Sequence, residues 1–344
     1  MSARRLVLVV GVGRSGTSVL AGILGHVGFQ IPQPEVRADS TNPRGFGEPR
    51  WVVELHERLM RERRVTVNDA RPVAWASTRD VADVAAVRAE LRGWLASQFR
   101  TADAVVVKDP RTVWFLDLWR RCADELGIPI GFATMLRHPA ESLTSAVAAY
   151  GIEQTEASRA AAWLNVILET ERATRDAPRA FLRYEALLRD WAAETARAGA
   201  ELDLPLLADL DRARFPAVDA FVDPTLHRVR VRWEGLDVPA SVRALADDVW
   251  ERLQPLTRPD GDTATLRAGL DDARAAYVRL YGDAEAIAQP SITAAVAAAG
   301  GGAARPPLAR RLAVGVVRRL PTPYRRRLRR VVRSLRASRG PQPG

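Results

Sequence analysis

The sequence has one cysteine and one lysine in 344 residues. A single thiol, Cys122, excludes an internal disulfide framework and fits a reducing compartment, so we predict a cytoplasmic protein. No apolar run approaches the roughly 20 residues that a membrane-spanning helix needs. The first apolar run, 5–10, ends at a glycine-rich turn and lacks a small-residue cleavage site, which indicates a buried strand and not a secretory signal. With four histidines and one cysteine, the sequence shows no recognisable cluster of metal ligands, and we predict no metal.

Acidic residues are missing from the last part of the chain. Thirteen arginines and no acid lie between Arg305 and Arg339, while the whole chain carries a formal charge of +10, so the remainder carries −3. Hydrophobic residues make up 47% of the sequence, enough for a sizeable core. The sequence therefore predicts a slightly acidic folded body with a strongly basic tail.

Apolar runs alternate with helical patterns in the first half of the chain. Four runs are typical of buried strands (5–10, 104–108, 130–136 and 180–184), and helices are predicted at about 17–27, 50–62, 81–99, 111–126 and 139–150. This alternation predicts an α/β fold, a P-loop-like parallel sheet flanked by helices, with a helical C-terminal part and a basic amphipathic tail. Ligands of such sheets bind beyond the carboxyl ends of the strands. The turn at 11–17, Lys108 and Arg137 each follow a strand, so we expect them to face one crevice.

The stretch between the first strand and the first helix, GVGRSGTS, has the composition of an anion-binding loop. Its glycines allow a ligand to approach the backbone, and free N–H groups and the positive end of the helix dipole converge there. Thr17 stands where an ATP-binding loop needs lysine, which disfavours ATP. The dinucleotide pattern of glycines is also present, but Glu35, in a loop-like segment, does not replace the acid expected at the end of a second strand.

The run Arg14-Ser15-Gly16-Thr17 resembles the 5′-phosphosulfate loop of the sulfotransferases. A second stretch, LRHPAESLTSA, has Arg137 and Ser145 eight residues apart, and it is similar to the 3′-phosphate site of that family. KDPR (108–111), YEALLRDW (184–191) and FVDPTLHRVRVRW (221–233) also look like bacterial members. The resemblance extends over about residues 5–255.

This resemblance implies that 3′-phosphoadenosine 5′-phosphosulfate is the donor and that no metal is needed. The acceptor would be a hydroxyl of a carbohydrate, a glycolipid or another small molecule. Arg14 would stabilise the leaving 5′-phosphate, and Arg137 and Ser145 would hold the 3′-phosphate. The donor-binding residues implied are Gly13, Arg14, Ser15, Gly16, Thr17, Ser18, Arg137 and Ser145.

The general base is less clearly marked in the sequence. The resemblance suggests Glu48, although an acid just before a helix is also typical of an ordinary helix start. His56 on the following helix is the alternative base, and a lone helical histidine is more often structural. Lys108 is expected to be catalytic, because it is the one ammonium group in a chain that otherwise uses arginine. Asp109 is interpreted as a helix N-cap.

Three regions are predicted along the chain: a sulfotransferase domain (1–285), an Ala/Gly linker (286–304) and a basic tail (305–344). Two leucine- and valine-rich stripes in the tail suit an anionic membrane surface, with nucleic acid as the less favoured partner and a simply solvated tail as the third reading. Two rival functions stay open at this point. One is a nucleotide-dependent kinase, and the other is a non-enzymatic membrane or nucleic-acid adaptor.

Overall fold

A four-stranded parallel sheet forms the centre of the computed structural model, which describes residues 4–150, 154–208, 210–223 and 233–300, without the side chains of 147–150 and 299–300. The strand order is β2-β1-β3-β4. The strands are β1 (Arg5–Val10), β2 (Ala104–Lys108), β3 (Ile130–Leu136) and β4 (Arg179–Arg183). The predicted fold class, a parallel α/β sheet flanked by helices, is confirmed.

Helices connect the strands and continue beyond the sheet. Between strands lie α1 (Thr17–His26), α2 (Arg50–Arg63), α3 (Ala74–Arg79), α4 (Ala85–Gln98), α5 (Leu116–Glu125), α6 (Pro139–Tyr150) and α7 (Glu156–Ala173). After β4 come α8 (Tyr184–Arg189), α9 (Trp191–Glu201), α10 (Pro216–Phe221), α11 (Ala240–Leu253) and α12 (Ala264–Gly300). Short 3₁₀ helices lie at Asp80–Asp83, Pro110–Phe115, Pro205–Leu207, Arg212–Arg214 and Gln254–Thr257.

Both faces of the sheet are covered, because side chains alternate along each strand with a period of two. In β1, Leu6 and Leu8 pack on the face covered by α2, α4 and α5, whereas Val7 and Val9 pack on the face covered by α1, α8 and α9. These four side chains are at most 1% exposed. The carboxyl ends of the four strands therefore meet at one edge of a rigid, buried sheet.

The chain divides into two units, residues 1–283 and 284–344. The second unit is helical as far as it is described, and α12 ends at Gly300. Residues 286–300 of the predicted Ala/Gly linker form helix, because alanine is the strongest helix former and the one glycine among them, Gly300, is the last residue of α12. The tail, 305–344, lies outside the described residues. Among the described residues, no helix combines the length and the apolar composition that crossing a membrane requires.

Candidate functional site

The glycine loop joins β1 to α1 at the carboxyl edge of the sheet. Gly16 forms the N-cap of α1 with a φ of 97°, a left-handed conformation that favours glycine. A Cβ built on Gly16 would lie 2.3 Å from Cδ2 of Tyr184, so the Tyr184 ring packs directly against the loop backbone. Arg14 also has a positive φ, 68°, which is uncommon for a residue with a side chain and is typical of functional loops. The Tyr184 ring, which directly follows β4, therefore holds the loop in one conformation.

Gly13 differs from Gly16, because its own surroundings do not require glycine. No heavy atom of the described residues lies within 4 Å of a Cβ built there, and its φ is not in the left-handed region. We expect Gly13→Ala to leave the melting temperature unchanged and to weaken binding of adenosine 3′,5′-bisphosphate about tenfold, because the methyl group occupies the ligand's path.

Titration calorimetry and thermal denaturation measure the two effects of this substitution. Gly93→Ala is the matched control, since a Cβ on Gly93 in α4 also meets open space, far along the chain from the loop. Unchanged affinity in Gly13→Ala would show that the nucleotide does not occupy the open space beside Gly13.

Three of the predicted donor-binding residues lie together. Arg14 donates from Nε to Ser145 Oγ at 3.2 Å, across 131 residues of sequence. Arg137 donates from Nη1 to the main-chain oxygen of Arg14 at 3.1 Å. The loop after β1 and the loop after β3 are thus hydrogen-bonded to each other through the two arginines that the sequence singled out. A cationic pair placed this way suits a ligand with two separate anionic groups.

Arg137 has a fixed position. It is 5% exposed, donates from Nε to Glu141 Oε2 at 3.1 Å, and lies with its guanidinium carbon 4.6 Å from the centre of the Tyr184 ring. Stacking and ion pairing hold the guanidinium plane in one orientation. Sequence reasoning missed the supporting roles of Tyr184 and Glu141. Their signals were the position of Tyr184 directly after β4 and the four-residue helical spacing from Arg137 to Glu141.

Ser18, in the first turn of α1, accepts two hydrogen bonds. Lys108 Nζ and Asn42 Nδ2 each lie 3.2 Å from its Oγ. A serine hydroxyl has two acceptor sites and one proton, so these contacts occupy both acceptor sites and leave the O–H as a donor. The Ser18 proton is therefore available for an anion at the start of α1. Asn42 is a contributor that the sequence gave no reason to select.

Other members of the loop have different roles. Ser15 is 1% exposed and donates its hydroxyl to Val12 O at 2.6 Å, which closes the turn. Thr17 is the first residue of α1 and is buried. Thr17 therefore takes the position that lysine occupies in ATP-binding loops. The main-chain N–H groups at the start of α1 remain the loop's chief anion donors.

Glu48 lies near the end of a loop whose two ends are hydrogen-bonded to each other. Val36 N donates to Glu48 O, and Arg50 N donates to Pro34 O, both at 2.8 Å, so residues 34–50 form a closed loop whose neck holds Glu48. The Glu48 side chain accepts from Lys108 Nζ at 2.5 Å, and both side chains are less than a tenth exposed. Burial raises the pKa of Glu48, and the positive charge of Lys108 opposes that rise. The structure therefore joins two predicted catalytic residues in one buried ion pair.

His56, on α2, has no exposed surface. Its Nε2 accepts from Trp119 Nε1 at 3.0 Å, and its Nδ1 lies 2.7 Å from Asp109 Oδ2. Because an indole N–H can only donate, Nε2 carries no proton and Nδ1 is the donor to Asp109. This geometry opposes the prediction that His56 is the alternative base, since both nitrogens are engaged and out of reach of an acceptor.

Asp109 is the N-cap that the sequence predicted. Its Oδ1 accepts from Arg111 N at 3.0 Å at the start of the 3₁₀ helix, with Pro110 in the first position. Burial alone would raise the pKa of Asp109, but the hydrogen bond from His56 and the charge of Arg111 outweigh it and lower the pKa to about 2. The carboxylate is therefore ionised and fully bonded, and it cannot serve as a base at neutral pH.

His138 contacts the rings of Trp233 and Trp250 edge-on and lies 3.5 Å from Asp247 Oδ1. The His26 ring contacts the Phe221 ring, with the two centroids 5.3 Å apart. Within the described part of the chain, no group of three or more histidine, cysteine or acidic side chains is placed to hold a metal ion.

Among solved structures, the chain is similar to the sulfotransferase domain of the olefin synthase from Synechococcus PCC 7002. The likeness covers 73% of this chain and 95% of that domain, with 18% sequence identity and a TM-score of 0.43. No protein-family model matches the sequence. No curated protein matches it either. The function proposed for this chain therefore depends on the geometry of its own site.

Proposed function

We propose that the protein is a sulfotransferase that moves a sulfuryl group from 3′-phosphoadenosine 5′-phosphosulfate to a hydroxyl of a carbohydrate, a glycolipid or another small molecule. The proposal is supported first by the arginine pair, Arg14 in the loop after β1 and Arg137 directly after β3. Two cationic groups on neighbouring strand ends fit a nucleotide with phosphates on both sides of its ribose. The open space beside Gly13 gives such a ligand room at the loop backbone.

The two hydrogen bonds that Ser18 accepts favour a sulfotransferase over a kinase. In an ATP-binding loop, the hydroxyl at the position of Ser18 holds magnesium. Here Lys108 Nζ and Asn42 Nδ2 donate to both acceptor sites of that hydroxyl, each at 3.2 Å. A magnesium ion at this position would compete for the same lone pairs and would be repelled by the ammonium group. The site therefore favours a donor that needs no metal.

The residues divide the chemical work between them. When bound, the donor supplies an activated sulfuryl group. Arg14 and the N–H groups at the start of α1 would stabilise negative charge on its 5′-phosphate, and Arg137 and Ser145 would bind its 3′-phosphate. Because arginine stays protonated, Arg14 acts by charge alone and donates no proton.

Glu48 is the proposed base for the acceptor hydroxyl. Its Oε1 is bonded to Lys108, so Oε2 is the oxygen that would take the proton. When that proton arrives, the Glu48 charge is neutralised, and the charge of Lys108 becomes available to the sulfuryl oxygens. The buried ion pair would therefore take part in catalysis. This role requires an ammonium group small enough to lie between Ser18 and Glu48.

Calorimetry with adenosine 3′,5′-bisphosphate and with ATP, each with and without magnesium, tests the proposal. We expect the bisphosphate to bind without magnesium, magnesium to leave its affinity unchanged, and ATP to bind more weakly. Tight ATP binding that requires magnesium would instead support the kinase.

We propose further that the tail, 305–344, takes the protein to the anionic inner face of a membrane. Sequence alone supports this, through thirteen arginines alternating with apolar stripes. We expect the full chain to sediment with vesicles containing phosphatidylserine, and a chain ending at residue 304 to lose that binding. Neutral vesicles and duplex DNA are the control ligands. Equal partitioning of both chains would contradict the membrane proposal, and preference for DNA would favour the nucleic-acid alternative.

A further inference from the structure

Arg111 lies beside the second oxygen of Glu48. Its Nη1 is 4.0 Å from Glu48 Oε2, which is too far for a hydrogen bond but close enough for a strong charge interaction. The first oxygen, Oε1, is bonded to Lys108. Each carboxylate oxygen of Glu48 therefore faces its own cation, and only Lys108 forms a direct bond.

The Arg111 guanidinium is fixed by two carboxylates. Nη1 donates to Asp109 Oδ1 at 2.9 Å, and Nη2 donates to Glu57 Oε1 at 2.8 Å. Asp109 is itself fixed, because His56 donates to its other oxygen and Trp119 sets the tautomer of that imidazole. His56, Asp109 and Trp119 are fully buried. The Arg111 side chain, in contrast, is 23% exposed. Arg111 is thus a fixed cation between the buried core and the protein surface.

We propose that Arg111 is a positioning residue for Glu48: held by Asp109, it keeps the Glu48 carboxylate ionised and its free oxygen oriented toward the acceptor. This role rests on the proposed function of Glu48 as the base. A buried base must be ionised before the acceptor arrives, and a direct bond from Arg111 would block the oxygen that takes the proton. A separation of 4.0 Å satisfies both requirements, because charge acts over that distance and a hydrogen bond does not.

The charged groups that act on Glu48 come from two neighbouring segments. Lys108 ends β2, and Asp109 and Arg111 follow it. Burial and Asp109 raise the pKa of Glu48, whereas Lys108 and Arg111 lower it. Removing the charge of Arg111 should therefore raise this pKa.

The test is a carbon-13 NMR titration of protein labelled at glutamate side chains, with the Glu48 signal assigned through Glu48→Gln. We expect Arg111→Gln to raise the pKa of Glu48 by about one unit. Arg111→Lys should restore much of the difference, because it retains the charge. Glu57→Gln is the matched control, since it removes the exposed partner of Arg111 and leaves Asp109 in place, and we expect a shift below about 0.3 unit.

Two outcomes would overturn the proposal: a pKa in Arg111→Gln within about 0.3 unit of the wild-type value, or a pKa below it. The titration needs no donor, so it is independent of the proposed function. Calorimetry on the same variant separates the two questions, because we expect Arg111→Gln to bind adenosine 3′,5′-bisphosphate as the wild type does. Failure of the wild type to bind that nucleotide would count against the sulfotransferase and leave the titration result standing.

Discussion

Replacing Arg137 with glutamine should weaken binding of adenosine 3′,5′-bisphosphate about 100-fold. A hydrogen bond to a charged group contributes roughly 1.5–3 kcal/mol, and a 100-fold loss corresponds to about 2.7 kcal/mol. Arg137 supplies the proposed contact to the 3′-phosphate, and its Nη1 also holds the main chain of Arg14. The substitution therefore removes the proposed ligand contact and loosens the loop that is proposed to bind the other phosphate.

Calorimetry without magnesium measures this loss, and circular dichroism checks the fold. Glutamine can still bond Glu141, so we expect a folded protein with unfolding free energy lowered by about 1–3 kcal/mol. The affinity of Arg137→Lys for the nucleotide should fall between those of the wild type and Arg137→Gln, because lysine keeps the charge and loses the planar guanidinium. Arg121→Gln removes one positive charge from an exposed surface pair and should bind like the wild type. An Arg137→Gln affinity within about threefold of wild type would count against the assignment of Arg137 to the nucleotide site.

Replacing Lys108 with methionine should destabilise the fold by about 3–5 kcal/mol, because it leaves the Glu48 carboxylate buried without its bonded cation. The double variant Lys108→Met/Glu48→Met should recover most of that loss, since two apolar side chains fill the same buried space without an unpaired charge. This reversal, in which two substitutions cost less than one, distinguishes a buried ion pair from two independent packing positions.

Denaturant unfolding at pH 7 gives the free energies for this cycle. The control cycle uses Arg121 and Asp83, whose side chains also lie 2.5 Å apart but are 51% and 66% exposed. There we expect a coupling of at most about 1 kcal/mol. A double variant less stable than Lys108→Met would show that Glu48 is not stabilised through Lys108. Under the proposed function, none of the Lys108 and Glu48 variants should transfer sulfate.

The sheet was predictable in detail because each strand is an apolar run that stops at a glycine turn, for β1, or at a charged residue, for the other three. β1, β2 and β3 have the predicted limits, and β4 lies one residue earlier than expected. The segment predicted as one helix from 111 to 126 begins as a 3₁₀ helix at Pro110 and becomes α-helical at Leu116. The spacing of apolar residues over so short a segment does not distinguish a 3₁₀ helix from an α-helix.

The candidate site was predictable as far as strand ends determine it. Parallel strands bring the glycine loop, Lys108 and Arg137 to one edge, and the structure places them there through the contacts of Ser18 and Arg14. The pairing of Glu48 with Lys108 was not predictable, because 60 residues of sequence separate them. The same holds for the burial of His56 by Trp119, 63 residues away, since a helical pattern shows which face is apolar but not what covers it.

The contact between Gly16 and Tyr184 has a consequence for biosynthesis. The loop that starts at residue 11 is synthesised well before the aromatic ring against which it packs, because Tyr184 directly follows β4. A nascent chain that ends before residue 179 lacks both that ring and the partner strand of β3. Under the proposed function, nucleotide binding should therefore be acquired only after β4 and Tyr184 have been added, and translation products truncated before them should be unable to compete for the donor.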